Sequence, residues 1–461
     1  MIIGVLAMMT AFANRAAVTA DPAPDSNVRV LVFSDPHVLA PALFDVDSRA
    51  WQRCAERDMR VTEASAALLD SVVERALASR PDLVLVTGDL TKDGERASHE
   101  YVAEHLRPLI DAGIPTLVIP GNHDISNPYA SAYRGDNALP VETVTRNDFA
   151  AIYADFGYGA SSHRDNASLA YRYDPLPGLS VLALDSNRDR ENLLMVRGDS
   201  VNTYHNAGTI PIETLDWLGR EAAMARADGR DIIAICHHHV VPHCRHEATA
   251  LPNYIVDNSD VLSLRLNDAG VATLFTGHLH ISNLVSNGDI DELANGSLST
   301  YPFAFSIVTI ANGKIKSCET SLIGHNMSDD GRQRIERATP SLMAMVTARA
   351  WNLLDKRRDK VAAMTRMVAG HDVALPTSRN ELNEIVTRYL DKPLRETVLA
   401  ITEARLPGND GEVRLAELDN VWRATLTTLL DEYFHNEAVT EFFLTNFYPL
   451  FLEEIRPLVI Q

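Results

Sequence analysis

In the segment SDPH (34–37) an aspartate and a histidine stand two residues apart, and GHLH (277–280) repeats the spacing with two histidines. On extended backbone such pairs fall on one side of the chain, where they can grip one ion. Between them in the sequence come GD (88–89), GNHD (121–124) and the cluster HHH (237–239). Together the five stretches collect Asp35, His37, Asp89, Asn122, His123, Asp124, three adjacent histidines, His278 and His280. A mixture of imidazole, carboxylate and amide donors suits Mn, Fe, Zn or Co better than an all-oxygen Mg or Ca cage. The chemistry open to such a set is attack of water on phosphorus. Two cations roughly 3.5–4 Å apart clamp the attacking and leaving oxygens and lower the pKa of a bound water, and one carboxylate must bridge them.

Each motif follows an apolar run of strand length. VRVLVFS (28–34), DLVLVTG (82–88), TLVIPG (116–121), DIIAIC (231–236) and VATLFTG (271–277) are aliphatic and β-branched. Near-continuous apolar runs predict strands buried on both faces, whose carboxyl ends deliver polar tips to one rim. Taken singly, Asp35 also suits a turn after a strand and Asp89 an N-cap. Coincidence is harder to sustain for metal-compatible groups at five strand ends.

In this order the motifs resemble the calcineurin-like metallophosphoesterase family, whose pattern is D-x-H, G-D, G-N-H-D/E, H and G-H-x-H. The resemblance spans residues 28–325 and implies an α/β fold, an αββα sandwich. Carried over residue by residue, it implies that Asp35, His37 and His280 hold one metal, that Asn122, His237 and His278 hold the other, and that Asp89 bridges them. Within HHH the family ligand follows directly on its strand, which selects His237, with His238 as the substitute and His239 last. The implied activity is two-metal hydrolysis of a phosphoester by a metal-bound hydroxide. His123, not a ligand in that pattern, is left to stabilise the phosphoryl oxygens or protonate the leaving group, with Asp124 orienting its ring. The expected substrate is a small anionic phosphodiester, a glycerophosphodiester or a cyclic nucleotide. A phosphomonoester on the same site, or a metal-bearing binding protein without turnover, are the alternatives.

The other histidines read differently. His99, His105, His163, His325, His371 and His435 suit surface or core positions, whereas His205 and His243 lie in stretches able to line a cleft. The insertion after Asp124 is rich in Tyr, Asn and Gly, and Tyr129, Tyr133 and Tyr204 are candidate substrate contacts or packing residues.

The chain has 461 residues, 46% of them hydrophobic, enough for more than one domain. A formal charge of −20 without a dense Lys/Arg run leaves no electrostatic footprint for nucleic acid. Residues 2–13, IIGVLAMMTAFA, form an apolar stretch too short to span a bilayer, followed by small residues. Although no basic residue precedes it, segment 1–20 predicts export, secreted or periplasmic; otherwise the protein is cytoplasmic. No integral membrane segment is expected. Cys54, Cys236, Cys244 and Cys318 are too few for a disulfide scaffold, and Cys236 reads as a buried thiol at a strand end.

Residues 58–79 carry apolar positions at helical spacing, and SIVTIANGKIKSCE (306–319) reads as a hairpin turning at Asn312-Gly313 that closes the second sheet. Beyond residue 326 strand signals vanish. Pro340 marks a helix start, further helices are expected over 378–391 and 413–434, and 436–456 is rich in Phe and Leu. Residues 326–461 therefore read as a helical C-terminal domain that caps, braces or joins copies of the chain into a homo-oligomer.

Overall fold

The structure, a computed structural model, describes residues 27–56, 58–159, 162–192, 206–243, 247, 251, 253–323, 328–404 and 409–460. The expected export segment 1–20 lies outside these residues, as do Tyr204, His205, Cys244 and His325.

Two sheets form the centre. In the first, β1 (Val28–Phe33), β2 (Leu83–Val86) and β3 (Thr116–Val118) run parallel. The second is built around the parallel strands β8 (Leu179–Ala183), β9 (Asp231–Ile235), β10 (Thr273–Thr276) and β12 (Asp291–Ala294). It is completed by β6 (His163–Arg164) and β7 (Tyr171–Leu176) at one edge and β11 (Asn283–Ser286) at the other, in the order β11-β12-β10-β9-β8-β7-β6. Each predicted apolar run contains one of these strands, and β2, β8 and β10 are buried along their whole length, while β1 and β9 are buried beyond their first residues. The short hairpin β4 (Ser131–Arg134) and β5 (Asn137–Pro140) stands apart, inside the insertion.

The C-terminal hairpin β13 (Ala304–Ala311) and β14 (Lys314–Leu322) turns at Asn312-Gly313 as expected, both residues having positive φ. It corrects the sheet assignment, because β13 pairs antiparallel with β1 and so extends the first sheet, in the order β14-β13-β1-β2-β3. Facing residues of both sheets, among them Val30, Val84, Val181, Ile233 and Phe275, share one core. Burying each such side chain contributes about 1.5–3 kcal/mol.

Helices cover both outer faces, giving the four layers of an αββα sandwich. On the first sheet lie α2 (Ser65–Ser79) and α3 (Arg96–Asp111), with α1 (Arg49–Ala55) nearby and α4 (Arg146–Ile152) packed on α3. After the short α5 (Asp189–Asn192), α6 (Ile212–Ala227) and α7 (Ser259–Asp268) cover the second sheet through Leu215, Leu218, Leu262 and Leu266. The helix expected over 58–79 begins only at Ser65, because residues 58–61 are held by the hydrogen bonds that Arg60 donates to Asp58.

The rest of the chain is helical: α8 (Ser328–Ala369, broken at Arg357), α9 (Arg379–Glu403), α10 (Gly411–Phe434), α11 (Glu437–Asn446) and α12 (Tyr448–Val459). Pro340 lies inside α8 rather than at its start. This region has a core of its own around Leu415, Leu418, Trp422 and Tyr448. It also reaches into the main core, of which the buried Ile335 and Leu399 are part. Tyr301 donates to Glu403 at 2.9 Å, and Arg332 meets the same carboxylate oxygen at 2.9 Å. No described helix is long and apolar enough to cross a membrane.

Candidate metal centre

The motif loops leave the strand ends in a conformation the extended-backbone expectation did not include. Asp35, His37, Asp89, His278 and His280 all have φ between 44° and 67°. For side chains with a Cβ this left-handed region costs roughly 1–2 kcal/mol per residue. Such strain persists only where the surroundings over-determine it, and it clusters at functional sites. The D-x-H and H-x-H pairs therefore converge through tight successive turns, not through strand alternation. The preceding glycines make the close packing possible: a Cβ on Gly121 would lie 2.1 Å from Asp89 Oδ1, and one on Gly277 would lie 2.0 Å from Ser34 Oγ.

Three donor atoms form a first group. His37 Nε2 and His280 Nε2 are 3.1 Å apart, and Asp35 Oδ1 is 3.7 and 3.3 Å from them. Donors held about 2.1 Å from one ion lie roughly 3–3.6 Å apart, so this triangle fits a single cation. Asp35 Oδ1 is buried and has no hydrogen-bond partner among the described residues, which is costly for a carboxylate unless a cation faces it. Its other oxygen accepts the backbone N–H of His278 at 3.0 Å.

A second group collects around His237, whose Nε2 is 3.1 Å from Asn122 Oδ1 and 3.4 Å from Asp89 Oδ2. His278 meets it edge-on with ring centroids 4.9 Å apart, and Asp89, His237 and His278 lie close enough to hold one ion. Asp89 Oδ2 is also 3.6 Å from His37 Nε2, so this one atom faces both groups. Strands of the first sheet end in Asp35, His37, Asp89 and Asn122, while β9 and β10 of the second end in His237, His278 and His280. Thr87 Oγ1 donates across the sheets to the Thr276 carbonyl at 3.3 Å. The seven residues named from the sequence are thus brought together at one rim, and the donor set present fits two cations.

Within HHH the geometry separates the three. His237 Nδ1 donates to the Thr87 carbonyl at 2.8 Å, which fixes the tautomer and turns Nε2 to the centre. His238 meets Ser186 Oγ at 2.7 Å, and His239 is tied to Glu247 at 2.8 Å and to the Gly277 carbonyl at 3.0 Å. His243 does not line the cleft: it is buried behind His239 with Nε2 3.3 Å from Glu292. Glu292 also accepts the backbone N–H groups of Val240 and Val241, which pins the segment after His237.

His123 stands at the open side, its side chain 20% exposed and its ring 5.0 Å from that of His37. The expected orienting role of Asp124 is overturned. Its two carboxylate oxygens accept from Leu90 N, Thr91 N, Thr91 Oγ1 and Gly121 N, so it braces the loops beneath the site. Burial and the neighbouring Asp89 push its carboxyl up to about 7, against those donors. The carboxylate beside the His123 ring is Asp93, with Oδ1 3.1 Å from Nδ1, and Asp93 in turn meets Lys92 Nζ at 2.5 Å. Burial opposes the charge on His123, but Asp89 and Asp93 outweigh it and raise its pKa. Burial likewise opposes Asp89, yet His237, His123 and His37 hold its carboxyl well below the usual range. His237 is pushed up to about 9, because Asp89 outweighs its burial.

Two further residues escaped the sequence reading. Arg60 places Nη1 2.9 Å from His37 Nδ1, and the Tyr254 ring lies tilted against the His278 ring with centroids 4.6 Å apart. Asp93 lies four residues beyond Asp89, and that spacing was its one sequence signal. Of the tyrosines proposed from the sequence, Tyr133 is buried against Trp51 and Leu39 and serves packing. Tyr129 is half-buried on the turn that Asn127 Oδ1 caps. Cys236 is a buried strand-end thiol, as expected, and burial pushes it up to about 12.

Comparison with known proteins places this geometry in context. The family model for calcineurin-like phosphoesterases matches residues 28–282. A probable cyclic nucleotide phosphodiesterase of Rhodococcus erythropolis is 30% identical over 212 residues, which cover 45% of this chain and 54% of that protein. The metallophosphoesterase 1 homolog of Drosophila melanogaster is 32% identical over 145 residues, 28% of this chain and 35% of that protein. The matched stretch is thus about half of these relatives or less. Among solved structures, a dimetal phosphatase from Danio rerio aligns with a TM-score of 0.44 at 16% identity, covering 64% of this chain and 99% of that one.

Proposed function

The chain belongs to the calcineurin-like phosphoesterase family, and on that footing we propose that it hydrolyses a phosphodiester with two metal ions, a cyclic nucleotide being the first substrate class to test. The observation that carries the reading is the position of one atom: Asp89 Oδ2 is 3.6 Å from His37 Nε2 and 3.4 Å from His237 Nε2. A carboxylate between two sets of donors is what a bridged pair of cations requires. Asp35, His37 and His280 would hold one ion, Asn122, His237 and His278 the other, and Asp89 both. When bound, two such ions supply charge neutralisation for the phosphoryl oxygens and an acidified water. The mixed donors favour Mn, Fe, Zn or Co. The relatives named as probable cyclic nucleotide phosphodiesterases support a diester substrate.

The protein's own contribution is positional. His123 stands at the open edge with its ring fixed by Asp93, so it can give a proton to a departing alkoxide from Nε2. Outer hydrogen bonds that His237 Nδ1 donates to the Thr87 carbonyl and His278 Nε2 to the Asn206 and Asn253 carbonyls hold the two rings in place. The test is a panel of cyclic nucleotides, glycerophosphodiesters and phosphomonoesters, assayed with Mn, Zn and Fe. Turnover of a diester at rates well above any monoester supports the proposal. Turnover of monoesters alone would move the chain to the phosphomonoesterase reading, and no turnover with any metal would remove the enzymatic one.

A further inference from the structure

Past His237 the chain carries a second set of metal-compatible side chains that the two donor groups at the rim do not use. His239, His243 and Glu247 follow one another with three residues between each, and Glu292 meets them from β12. His239, Glu247 and Glu292 are fully enclosed, and His243 is 2% exposed. His239 Nδ1 lies 2.8 Å from Glu247 Oε1, and His243 Nε2 lies 3.3 Å from Glu292 Oε1. The two rings are tilted against each other with centroids 4.2 Å apart. His239, His243 and Glu292 each offer a ligand atom within 4.8 Å of the other two.

Buried carboxylates need positive charge close by. Among the described residues no Lys or Arg meets Glu247 or Glu292; the two imidazoles do. Protons alone would balance the two carboxylates only by setting two imidazolium rings 4.2 Å apart, whereas one divalent cation balances both and leaves both rings neutral. The outer contacts suit that arrangement. Beyond its Nδ1, His239 has Nε2 3.0 Å from the Gly277 carbonyl, the kind of acceptor that orients a metal-bound ring. His243 Nδ1 meets no partner among the described residues, so one nitrogen of that ring is uncommitted. Glu292 is held in place by Val240 N, Val241 N and Thr276 Oγ1, and Glu247 by His243 N.

We propose that His239, His243 and Glu292, with Glu247 beside them, form a buried zinc site separate from the two groups at the rim, where a structural ion fastens the loop after β9 to β10 and β12. Two imidazoles three residues apart and carboxylates are donors that zinc takes in closed sites, at about 2.0–2.2 Å. Ligands at that radius stand roughly 3–3.6 Å apart, so the pair distances of 2.8 and 3.3 Å are already close, and a movement of roughly 1 Å gathers the rest. Such an ion would brace Gly277 and the segment after His237 from behind, without touching substrate.

The test uses the full chain, produced in zinc-supplemented medium and washed briefly with a chelator to strip accessible ions. Wild type should then hold about one zinc ion per chain more than His243→Ala, because the enclosing protein limits solvent access to the site. Equal zinc contents would overturn the site. Anomalous scattering at the zinc edge, from crystals of the zinc-loaded wild type, checks the position and does not depend on the variant folding. A peak between His239, His243 and Glu292 is expected. Zinc peaks at the rim with none at this cluster would contradict the proposal, even where the contents of the two proteins differ, since the lost ion would then be a rim ion. Turnover enters neither measurement, so failure here leaves the phosphoester-hydrolase reading standing, and failure of that reading leaves this site standing.

Discussion

At the scale of single residues, the sequence motifs located the centre and the structure changed who assists it. His123 takes its carboxylate partner from Asp93, so both should matter in proportion to how badly the leaving group needs a proton. General acid catalysis typically gives about 10²–10⁴-fold. His123→Ala should lose most of that factor on alkyl diesters and distinctly less on nitrophenyl diesters, measured as kcat. Asp93→Asn should show the same selectivity at smaller size, and it should add nothing in the His123→Ala background, because it acts through that ring. Equal losses on both ester types would point instead to a contact with the phosphoryl oxygens. Ligand-type residues were legible because their identity and order at strand ends carry information. Asp93, Arg60 and Tyr254 were not, since TKDGE, RDMR and NYIV look ordinary until the loops fold over the rim.

At the scale of elements, apolar runs predicted all the site-bearing strands, because burial on both faces leaves little freedom in composition. Sheet membership was not legible: β13 joins β1 and not the second sheet, a choice made by long-range pairing that the hairpin's own sequence does not encode. The helical faces are held by groups with their own pH dependence. His99 on α3 is buried, taking Tyr153 Oη at Nδ1 (3.0 Å) and giving Nε2–H to the Asp124 carbonyl (2.8 Å), and burial pushes it down to about 4. Its unfolded value is about 6.5, so between about 6.5 and 4 the unfolded chain binds a proton that the folded one refuses. Stability is full above that window and falls as pH drops through it, by about 3 kcal/mol for this group. His99→Gln should be less stable at pH 7 yet show a shallower loss towards pH 4 in urea unfolding. Parallel pH profiles for the two proteins would exclude His99 as a source of acid sensitivity.

At the scale of the whole molecule, the helical region and the sandwich share more than a boundary near residue 326 suggests. Ile335 and Leu399 are each 1% exposed within the main core, and Glu403 ties Tyr301 to Arg332. Losing two such side chains forfeits roughly 3–6 kcal/mol, comparable to a domain's entire margin of about 5–15 kcal/mol. A chain ending at residue 325 should therefore melt well below the full chain or aggregate. An unchanged melting temperature would show the helices to be an independent module. The sandwich, for its part, matters because neither sheet alone has a complete centre, and Asp89 is the residue at which the two halves meet. Metal content and diester turnover measured together on wild type and Asp89→Asn test that most directly. The wild type should bind two transition-metal ions per chain at this centre, while the variant should hold one or none there and lose turnover. A variant that retains two ions there and wild-type turnover would contradict the bridged centre on which the account depends.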